Sequence, residues 1–253
     1  MALIHLDFFS NVLGKCVKAD VILPQSTTGQ IGLEGNAENE FPTLYLLHGM
    51  SDDETIWQRR TAIERYATYR GCAVVMPTSD LGWYTDMECG YQRYYTYIAK
   101  ELPAICRSFF RGMSAKRELN WVAGLSMGGY GALKIGLNES ERFSRAVCLS
   151  GAYTIEDRPY APYWNAIFGE GEAREKHTIT HAIETLAKEN RQKPLIYMAC
   201  GTEDALLPDS RKTRDMLKKD GFDVTYAEAP GGHTWEFWDK QIEIALLDWT
   251  KRD

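Results

Sequence analysis

Several features that would assign a chain to a particular class are missing from this sequence of 253 residues. Its six cysteines include no C-x-x-C pair, which removes the usual zinc and thioredoxin-like patterns. No apolar run approaches the ~20 residues that a transmembrane helix requires. The net charge of −6 gives no general attraction to nucleic acid or to an anionic membrane surface. We therefore expect no metal, no cofactor, no nucleic acid partner and no membrane association.

The N-terminus also lacks a targeting pattern. Residues 1–7 show no basic region followed by the long apolar core of a signal peptide. Three cysteines, Cys72, Cys148 and Cys200, lie in or beside apolar strand-like runs, where a thiol acts as a small hydrophobic group. A reducing compartment is consistent with this usage, and we expect a cytoplasmic protein.

The pattern of apolar residues predicts one α/β domain over residues 1–253, because a chain with 44% hydrophobic residues can bury a single large core. Two early segments, 4–9 and 16–23, alternate like antiparallel strands. Later apolar runs alternate with helical patterns, and these runs are 44–47, 73–76, 119–123, 145–149, 195–200 and 224–227. Such alternation predicts a mostly parallel central sheet flanked by helices, with a site at the carboxyl edge of the strands.

The most informative motif is a pentapeptide, Gly124-Leu125-Ser126-Met127-Gly128, which has the pattern G-x-S-x-G. It lies between the apolar run 119–123 and a helical pattern over 129–137. A serine on a sharp turn between strand and helix needs glycine on both sides, because the backbone is strained and neighbouring side chains would block the hydroxyl. This context makes Ser126 the candidate nucleophile and predicts an α/β-hydrolase fold.

An acid and a histidine follow the serine in the chain order of that fold. Asp204 follows the strand-like run 195–200 after a short turn. It is the candidate that orients the base. Glu203 is its nearest rival, because the end of a strand cannot be placed to one residue from sequence. His233 follows a Pro-Gly-Gly turn ahead of the last helical pattern, and it is the candidate base. A serine hydroxyl needs an imidazole to take its proton, and a buried carboxylate fixes the imidazole tautomer.

An oxyanion hole in this fold uses the backbone N–H after the serine and a second N–H from the loop after an earlier strand. Met127 N–H is the first expected donor. Met50 N–H is the second, and Gly49 would let the chain approach the substrate carbonyl. His48 ends the preceding strand, and we expect it to bond the loop rather than to act in catalysis.

Segment 151–192 interrupts the alternation of strands and helices, and we predict that it forms a small cap-like insertion or pocket wall. Its aromatic residues either line a pocket or pack the segment against the body. Trp83 and Tyr84, on a loop after the run 73–76, are candidates for the substrate rim, and Trp164 is a candidate for the pocket wall. The insertion carries a cluster of large apolar side chains, Tyr153, Tyr160, Tyr163, Trp164, Ile167 and Phe168.

Two further aromatic groups have helical spacing. Tyr91, Tyr94, Tyr95 and Ile98 suit the buried face of one helix. Trp235 and Trp238 follow His233 and are expected to pack the last helix against the sheet and to position the histidine turn.

Four motifs together resemble the tributyrin esterase and esterase D group of α/β-hydrolases, which also includes S-formylglutathione hydrolases. They are LLHGMS at 46–51, GWYTD at 82–86, GLSMGGYGA at 124–132 and GHTWEFW at 232–238. The resemblance implies cleavage of short-chain acyl esters by Ser126, Asp204 and His233 without a metal, and it also implies a possible homo-oligomer. S-formylglutathione hydrolases carry a cysteine shortly after the oxyanion loop, whereas this chain continues SDDET at 51–55. The short-chain carboxylesterase branch therefore fits best.

The sequence therefore predicts a serine carboxylesterase that acts on small acyl esters through an acyl-enzyme intermediate. Fold and triad do not fix the acyl group or the leaving group, so a thioesterase, a carbohydrate acetyl esterase or a feruloyl esterase stays open. A noncatalytic binding protein with the same fold is a further alternative, and a serine that does not react with a phosphonate probe would favour it.

Overall fold

Eight strands form one sheet in the computed structural model of the chain. The structure describes residues 1–29, 31, 35, 38–156 and 163–250, with side chains as far as residue 247. In chain order the strands are β1 Ala2–Ser10, β2 Lys15–Leu23, β3 Thr43–Leu47, β4 Ala73–Pro77, β5 Asn120–Leu125, β6 Arg145–Leu149, β7 Leu195–Gly201 and β8 Val224–Ala229.

Helices connect most of these strands and cover the sheet. Their bounds are α1 Ile56–Arg60, α2 Ile63–Arg70, α3 Tyr94–Thr96, α4 Leu102–Phe109, α5 Met127–Asn138, α6 Trp164–Phe168, α7 Glu172–Glu175, α8 Ile179–Lys188, α9 Leu207–Lys219 and α10 Trp235–Thr250. A π-helical turn, Tyr97–Glu101, joins α3 to α4, and a short 3₁₀ turn, Arg117–Leu119, precedes β5. None of the described helices is long and apolar enough to span a membrane.

The order of strands across the sheet is β1-β2-β4-β3-β5-β6-β7-β8. Strand β2 pairs antiparallel with β1 and β4, whereas all pairings from β4 to β8 are parallel. This arrangement confirms the predicted α/β-hydrolase fold, in which the carboxyl ends of β3, β5, β6, β7 and β8 meet at one edge.

The sheet has a buried cluster on each face, because successive side chains of a strand point to opposite sides. Tyr45 of β3 packs into the cluster that contains α5, whereas its neighbours Leu44 and Leu46 pack into the cluster that contains α2 and α10. All residues of β3, β4, β5 and β6 are buried. Continuous apolar runs in the sequence follow from this burial on both faces.

Some predicted details need correction. Tyr91 is 70% exposed and precedes α3, so it does not share the buried face of Tyr94 and Ile98. The serine strand covers Asn120–Leu125 and its helix begins at Met127, each shifted slightly from the predicted bounds. The described part of segment 151–192 contains α6, α7 and α8, and Tyr160 of that segment lies outside the described residues.

Candidate active site

Ser126 occupies the sharp turn between β5 and α5 with φ 53° and ψ −116°. Such a backbone is sparsely populated for a residue with a side chain and costs on the order of 1–3 kcal/mol. The flanking glycines explain how the turn is accommodated. A Cβ on Gly124 would lie 2.3 Å from the Gly128 carbonyl oxygen, and a Cβ on Gly128 would lie 2.6 Å from the carbonyl oxygens of Leu47 and His48. The motif therefore needs glycine because helix and strand approach backbone to backbone.

The structure brings the three candidate catalytic side chains into one hydrogen-bonded chain. His233 Nε2 lies 3.0 Å from Ser126 Oγ, and His233 Nδ1 lies 2.8 Å from Asp204 Oδ2. An ionised carboxylate can only accept hydrogen bonds, so the imidazole Nδ1 carries the proton and donates it to Asp204. Nε2 is then free to accept the Ser126 hydroxyl proton. This is the geometry that general-base activation of a serine requires.

Asp204 is well suited to orient an imidazole because its carboxyl is buried and hydrogen-bonded. Its side chain is only 1% exposed, compared with 38% for His233. Burial by itself raises the pKa of Asp204. Hydrogen bonds from His233, the Leu206 N–H and Ser150 outweigh that effect, so the pKa lies below its ordinary value. The carboxylate is therefore ionised at neutral pH.

The rival carboxylate, Glu203, has a different partner. Its Oε2 accepts the Gly231 N–H at 2.5 Å, and its Oε1 accepts the Thr202 hydroxyl at 2.7 Å. The carboxylate that reaches the His233 imidazole is that of Asp204. Asp204 therefore remains the candidate that orients the base.

Trp238 and Ser150 support the base and the acid. The His233 and Trp238 rings meet edge to face with centroids 4.8 Å apart, and Trp238 Nε1 donates to Ser150 Oγ at 3.1 Å. Ser150 follows β6 directly, and its hydroxyl also bonds Asp204. Sequence reasoning missed Ser150. Its position at the carboxyl end of the strand beside the serine strand is the signal that points to it.

The two expected oxyanion donors lie at neighbouring strand ends. Met127 is the first residue of α5, so its N–H has no acceptor within the helix and lies at the positive end of the helix dipole. The loop after β3 contacts β5, because a Cβ on Gly49 would lie 2.6 Å from Leu125 Cδ1. The Gly49 carbonyl accepts His48 Nδ1–H at 2.7 Å. In a trans peptide the Met50 N–H points in the direction opposite to the Gly49 carbonyl, so it takes no part in this hydrogen bond.

His48 connects the oxyanion loop to the next loop of the same edge. Its Nε2 accepts the Ser79 N–H at 2.9 Å, which requires the proton to be on Nδ1. Its carbonyl accepts the Tyr84 hydroxyl at 2.7 Å. Burial lowers the pKa of His48, which keeps the ring neutral. The expectation that His48 bonds the loop is confirmed.

The aromatic residues predicted to contact substrate are buried. Trp83 is 3% exposed and Tyr84 is fully buried, so the placement of these two side chains at an open rim is wrong. Trp83 packs edge to face against Trp164, with ring centroids 4.9 Å apart, and Trp164 is buried as well. A Cβ on Gly131 would lie 2.4 Å from the Tyr84 ring, so this loop is packed directly on α5. The aromatic cluster therefore supports the active site through its packing against α5.

Within the described ranges, no group of three or more histidine, cysteine or acidic side chains is arranged to hold a metal ion.

Known proteins resemble this chain over almost its whole length. The family model Esterase matches residues 10–249. An acetyl esterase of Caldicellulosiruptor saccharolyticus is 31% identical over 265 residues, covering 100% of this chain and 99% of that protein. Two solved structures from Staphylococcus aureus are each 32% identical and cover 97% of both chains. They are the fluorophosphonate-binding serine hydrolase F, with a TM-score of 0.86, and an S-formylglutathione hydrolase, with a TM-score of 0.83.

The similarity covers almost the whole chain, in sequence and in structure. A ferulic acid esterase with a TM-score of 0.78 is 24% identical and shows the shared fold alone. The chain therefore belongs to the esterase family, and it is a serine esterase that hydrolyses carboxylic esters.

Proposed function

We propose that the enzyme hydrolyses short-chain acyl esters through an acyl-enzyme formed on Ser126. The observation that carries this proposal is the continuous chain from Ser126 Oγ through His233 to Asp204, with distances of 3.0 and 2.8 Å. It joins a strained, glycine-flanked serine to a base whose tautomer is fixed by a buried carboxylate.

The reaction would follow from the roles of these atoms. Ser126 Oγ attacks the ester carbonyl while His233 Nε2 takes the hydroxyl proton. The N–H groups of Met127 and Met50 would bind the oxyanion of the tetrahedral intermediate. His233 then gives its proton to the departing alkoxide, and the alcohol leaves. Water attacks the acyl-enzyme by the same route, with His233 again as the base, and the carboxylic acid is released.

A small acyl group is favoured by the packing one helical turn from the nucleophile. Tyr130, whose N–H donates to the Ser126 carbonyl at 3.1 Å, packs against Trp83 with ring centroids 5.9 Å apart. Phe168 and Trp164 complete this cluster with centroids 4.5 Å apart. Close-packed buried rings fill this side of α5. The acetyl esterase that matches the full chain supports the same inference.

Within the esterase family we infer that the enzyme belongs to the tributyrin esterase and esterase D branch. A second candidate is a thioesterase acting on S-formylglutathione, because the S-formylglutathione hydrolase of Staphylococcus aureus covers 97% of this chain. The chain has Ser51 and not cysteine just after the oxyanion loop, which favours oxygen esters. A carbohydrate acetyl ester is compatible with a small acyl pocket, and a feruloyl ester requires more room.

We also propose that the enzyme works in the cytoplasm. All six cysteines are free thiols, and Cys16 and Cys89 are exposed. Exposed free thiols suit a reducing compartment. A homo-oligomer is a further proposal that rests on the family resemblance alone.

A substrate series tests the proposed activity. Hydrolysis of p-nitrophenyl acetate, butyrate and octanoate and of S-formylglutathione would be measured for the wild type and for Ser126→Ala. We expect kcat/KM to be highest for acetate or butyrate and to fall to background in the variant. Preference for S-formylglutathione would support the second candidate. Equal activity of Ser126→Ala would contradict the serine mechanism.

A further inference from the structure

The turn that carries His233 combines Pro230, whose ring restricts its backbone, with two glycines that have no side chain to restrict theirs. It joins β8 to α10 through consecutive glycines, Gly231 and Gly232, and Gly231 has φ +143°, a value that side chains rarely allow. Glycines leave a turn many alternative conformations, and the imidazole itself is more than one-third exposed. The position of His233 therefore depends on contacts that the turn makes with other elements.

Glu203 makes two hydrogen bonds to this turn, and both of them are to Gly231. The Glu203 N–H donates to the Gly231 carbonyl at 3.1 Å, and the Glu203 carboxylate accepts the Gly231 N–H at 2.5 Å. The Thr202 hydroxyl donates to the other carboxylate oxygen at 2.7 Å and fixes the rotamer. Both polar groups of the Gly231 backbone are thus bound by one residue.

These contacts extend the pairing of β7 and β8 beyond the sheet. Thr202 N–H donates to the Ala229 carbonyl at 3.0 Å, directly before the Glu203 contacts. The close approach of the turn to β7 requires glycine at position 201, because a Cβ on Gly201 would lie 2.0 Å from the Gly231 carbonyl oxygen. The histidine turn therefore rests on the end of β7 with backbone against backbone.

Adjacent carboxylates consequently act on one histidine by different routes. Asp204 bonds the His233 imidazole, and Glu203 bonds the backbone two residues before it. Hydrogen bonds to an ionised acceptor are roughly twice as strong as those between neutral groups. The Gly231 N–H, with the Thr202 hydroxyl, holds the pKa of the Glu203 carboxyl below its ordinary value, so this acceptor is ionised at neutral pH.

We propose that Glu203 is a positioning residue for the base of the esterase reaction: by bonding both backbone groups of Gly231, it sets the location of His233 Nε2 relative to Ser126 Oγ. The inference rests on the proposed function of Ser126 and His233 and adds a residue to it. Glu203 touches neither the substrate nor the reacting atoms. Its effect is expected in kcat, because a misplaced base slows proton transfer without changing the binding of the ester.

The test compares Glu203→Ala with Glu203→Gln, which retains an acceptor oxygen but no charge. Glu141→Ala is the matched control, because it removes an exposed carboxylate just beyond the far end of α5, away from Ser126. kcat and KM would be measured with p-nitrophenyl acetate and butyrate, together with Tm, the pH profile of kcat/KM, and the proton NMR signal of His233 Nδ1–H.

For Glu203→Ala we expect kcat to fall by about tenfold or more with KM within about twofold, since small displacements of a catalytic group have large effects on rate. The His233 Nδ1–H signal should weaken or broaden, while Tm stays close to that of the wild type. Glu203→Gln should retain most of the activity and an unchanged pH profile, and Glu141→Ala should behave as the wild type.

Several results would overturn the proposal. Wild-type kcat and an unchanged Nδ1–H signal in Glu203→Ala would do so, as would an equal loss of kcat in Glu203→Ala and in the control Glu141→Ala. If Glu203→Ala fails to fold, the test rests on Glu203→Gln. A pH profile of kcat/KM for Glu203→Gln that is displaced from that of the wild type would contradict the proposal. Ser126→Ala separates the two levels: activity remaining in that variant rejects the proposed function, whereas its loss beside wild-type kcat in Glu203→Ala rejects only the positioning role.

Discussion

Glu203 and Asp204 are neighbours in the chain, yet their carboxylates differ in burial, partner and proposed role. Asp204 is buried and accepts hydrogen bonds from the His233 ring and the Leu206 N–H. Glu203 is exposed and accepts one from the Gly231 N–H. Successive residues at the end of a strand point in different directions, so a shift of one position changes the chemistry completely.

Replacement of Asp204 by Asn should therefore have a much larger effect than replacement of Glu203 by Gln. An amide at 204 can donate to Nδ1 and thereby favour the wrong imidazole tautomer, which leaves Nε2 protonated. We expect kcat for p-nitrophenyl butyrate to fall by about 10³–10⁴-fold with little change in KM. Steady-state kinetics of both variants check this. An Asp204→Asn enzyme with more than about one-tenth of wild-type kcat would contradict the role of Asp204.

The sequence predicted Ser126 and His233 because each lies in a local pattern with a steric cause. Glycines around Ser126 reflect a backbone contact, and the Gly-Gly turn before His233 reflects the positive φ of Gly231. Ser150 and the role of Glu203 could not be predicted in this way. Their hydrogen bonds join loops that are far apart in sequence, and the direction of a side chain in a loop depends on dihedral angles that no periodicity records.

Helix α5 carries the nucleophile turn at one end and contacts segment 151–192 along its length. The Tyr130 hydroxyl donates to the His177 carbonyl at 2.6 Å. Lys134 Nζ donates to Thr85 Oγ1 at 2.9 Å and lies 3.3 Å from His177 Nδ1, while His177 Nε2 lies 2.8 Å from Glu88 Oε1. A buried polar network of this kind is stable only while each member keeps its protonation state.

The charges around this network make it sensitive to pH. Burial lowers the pKa of Lys134 to about 7. Burial, together with the nearby Lys134, lowers the pKa of His177 to about 4, although Glu88 opposes the shift. Lys176 also bonds Glu88, and Asp86 acts on Lys134. Neutral His177 fits the geometry, because Nδ1 can accept from Lys134 while Nε2–H donates to Glu88.

This network predicts a loss of stability in mild acid. His177 titrates near 4 when folded and near its ordinary value of 6.5 when unfolded, so the unfolded chain binds more protons between those values. The free energy of unfolding should therefore decrease as the pH falls from about 6.5 to about 4, by on the order of 2 kcal/mol from this group. Above 6.5 the contribution is constant.

Urea unfolding of the wild type and of His177→Gln at several pH values between 4 and 7 measures this effect. Glutamine can accept from Lys134 and donate to Glu88 without titrating, so the difference between the two proteins isolates His177. We expect the wild type to lose more stability than the variant as the pH falls. Parallel curves for the two proteins would reject the assignment.

Strands and their order of appearance were predictable because buried parallel strands are short apolar runs bounded by turns. The aromatic loops were less predictable. Trp83 and Tyr84 follow β4 in a loop where both have positive φ, and that backbone turns their rings onto α5 instead of toward solvent. Tyr91 has the spacing of a helix face but precedes the helix, since α3 begins at Tyr94. Periodicity does not show where a helix begins.

Across the whole molecule, the parallel part of the sheet determines where the site lies. Strands β5, β7 and β8 end at one edge, and the loops that follow them bring Ser126, Asp204 and His233 together from distant parts of the chain. The buried clusters on the two faces of the sheet hold the ends of these loops at fixed distances from one another. The esterase family match over residues 10–249 covers all of these elements.

We propose that Ser126, activated by His233, is the group that cleaves the ester. Titration with a fluorophosphonate probe, followed by peptide mass mapping and assay of p-nitrophenyl butyrate hydrolysis, tests it most directly. We expect one probe per chain, attached to the peptide that contains Ser126, with hydrolysis lost in proportion to labelling and no labelling of Ser126→Ala. Hydrolysis that persists in fully labelled enzyme, or a probe attached to another residue, would contradict it.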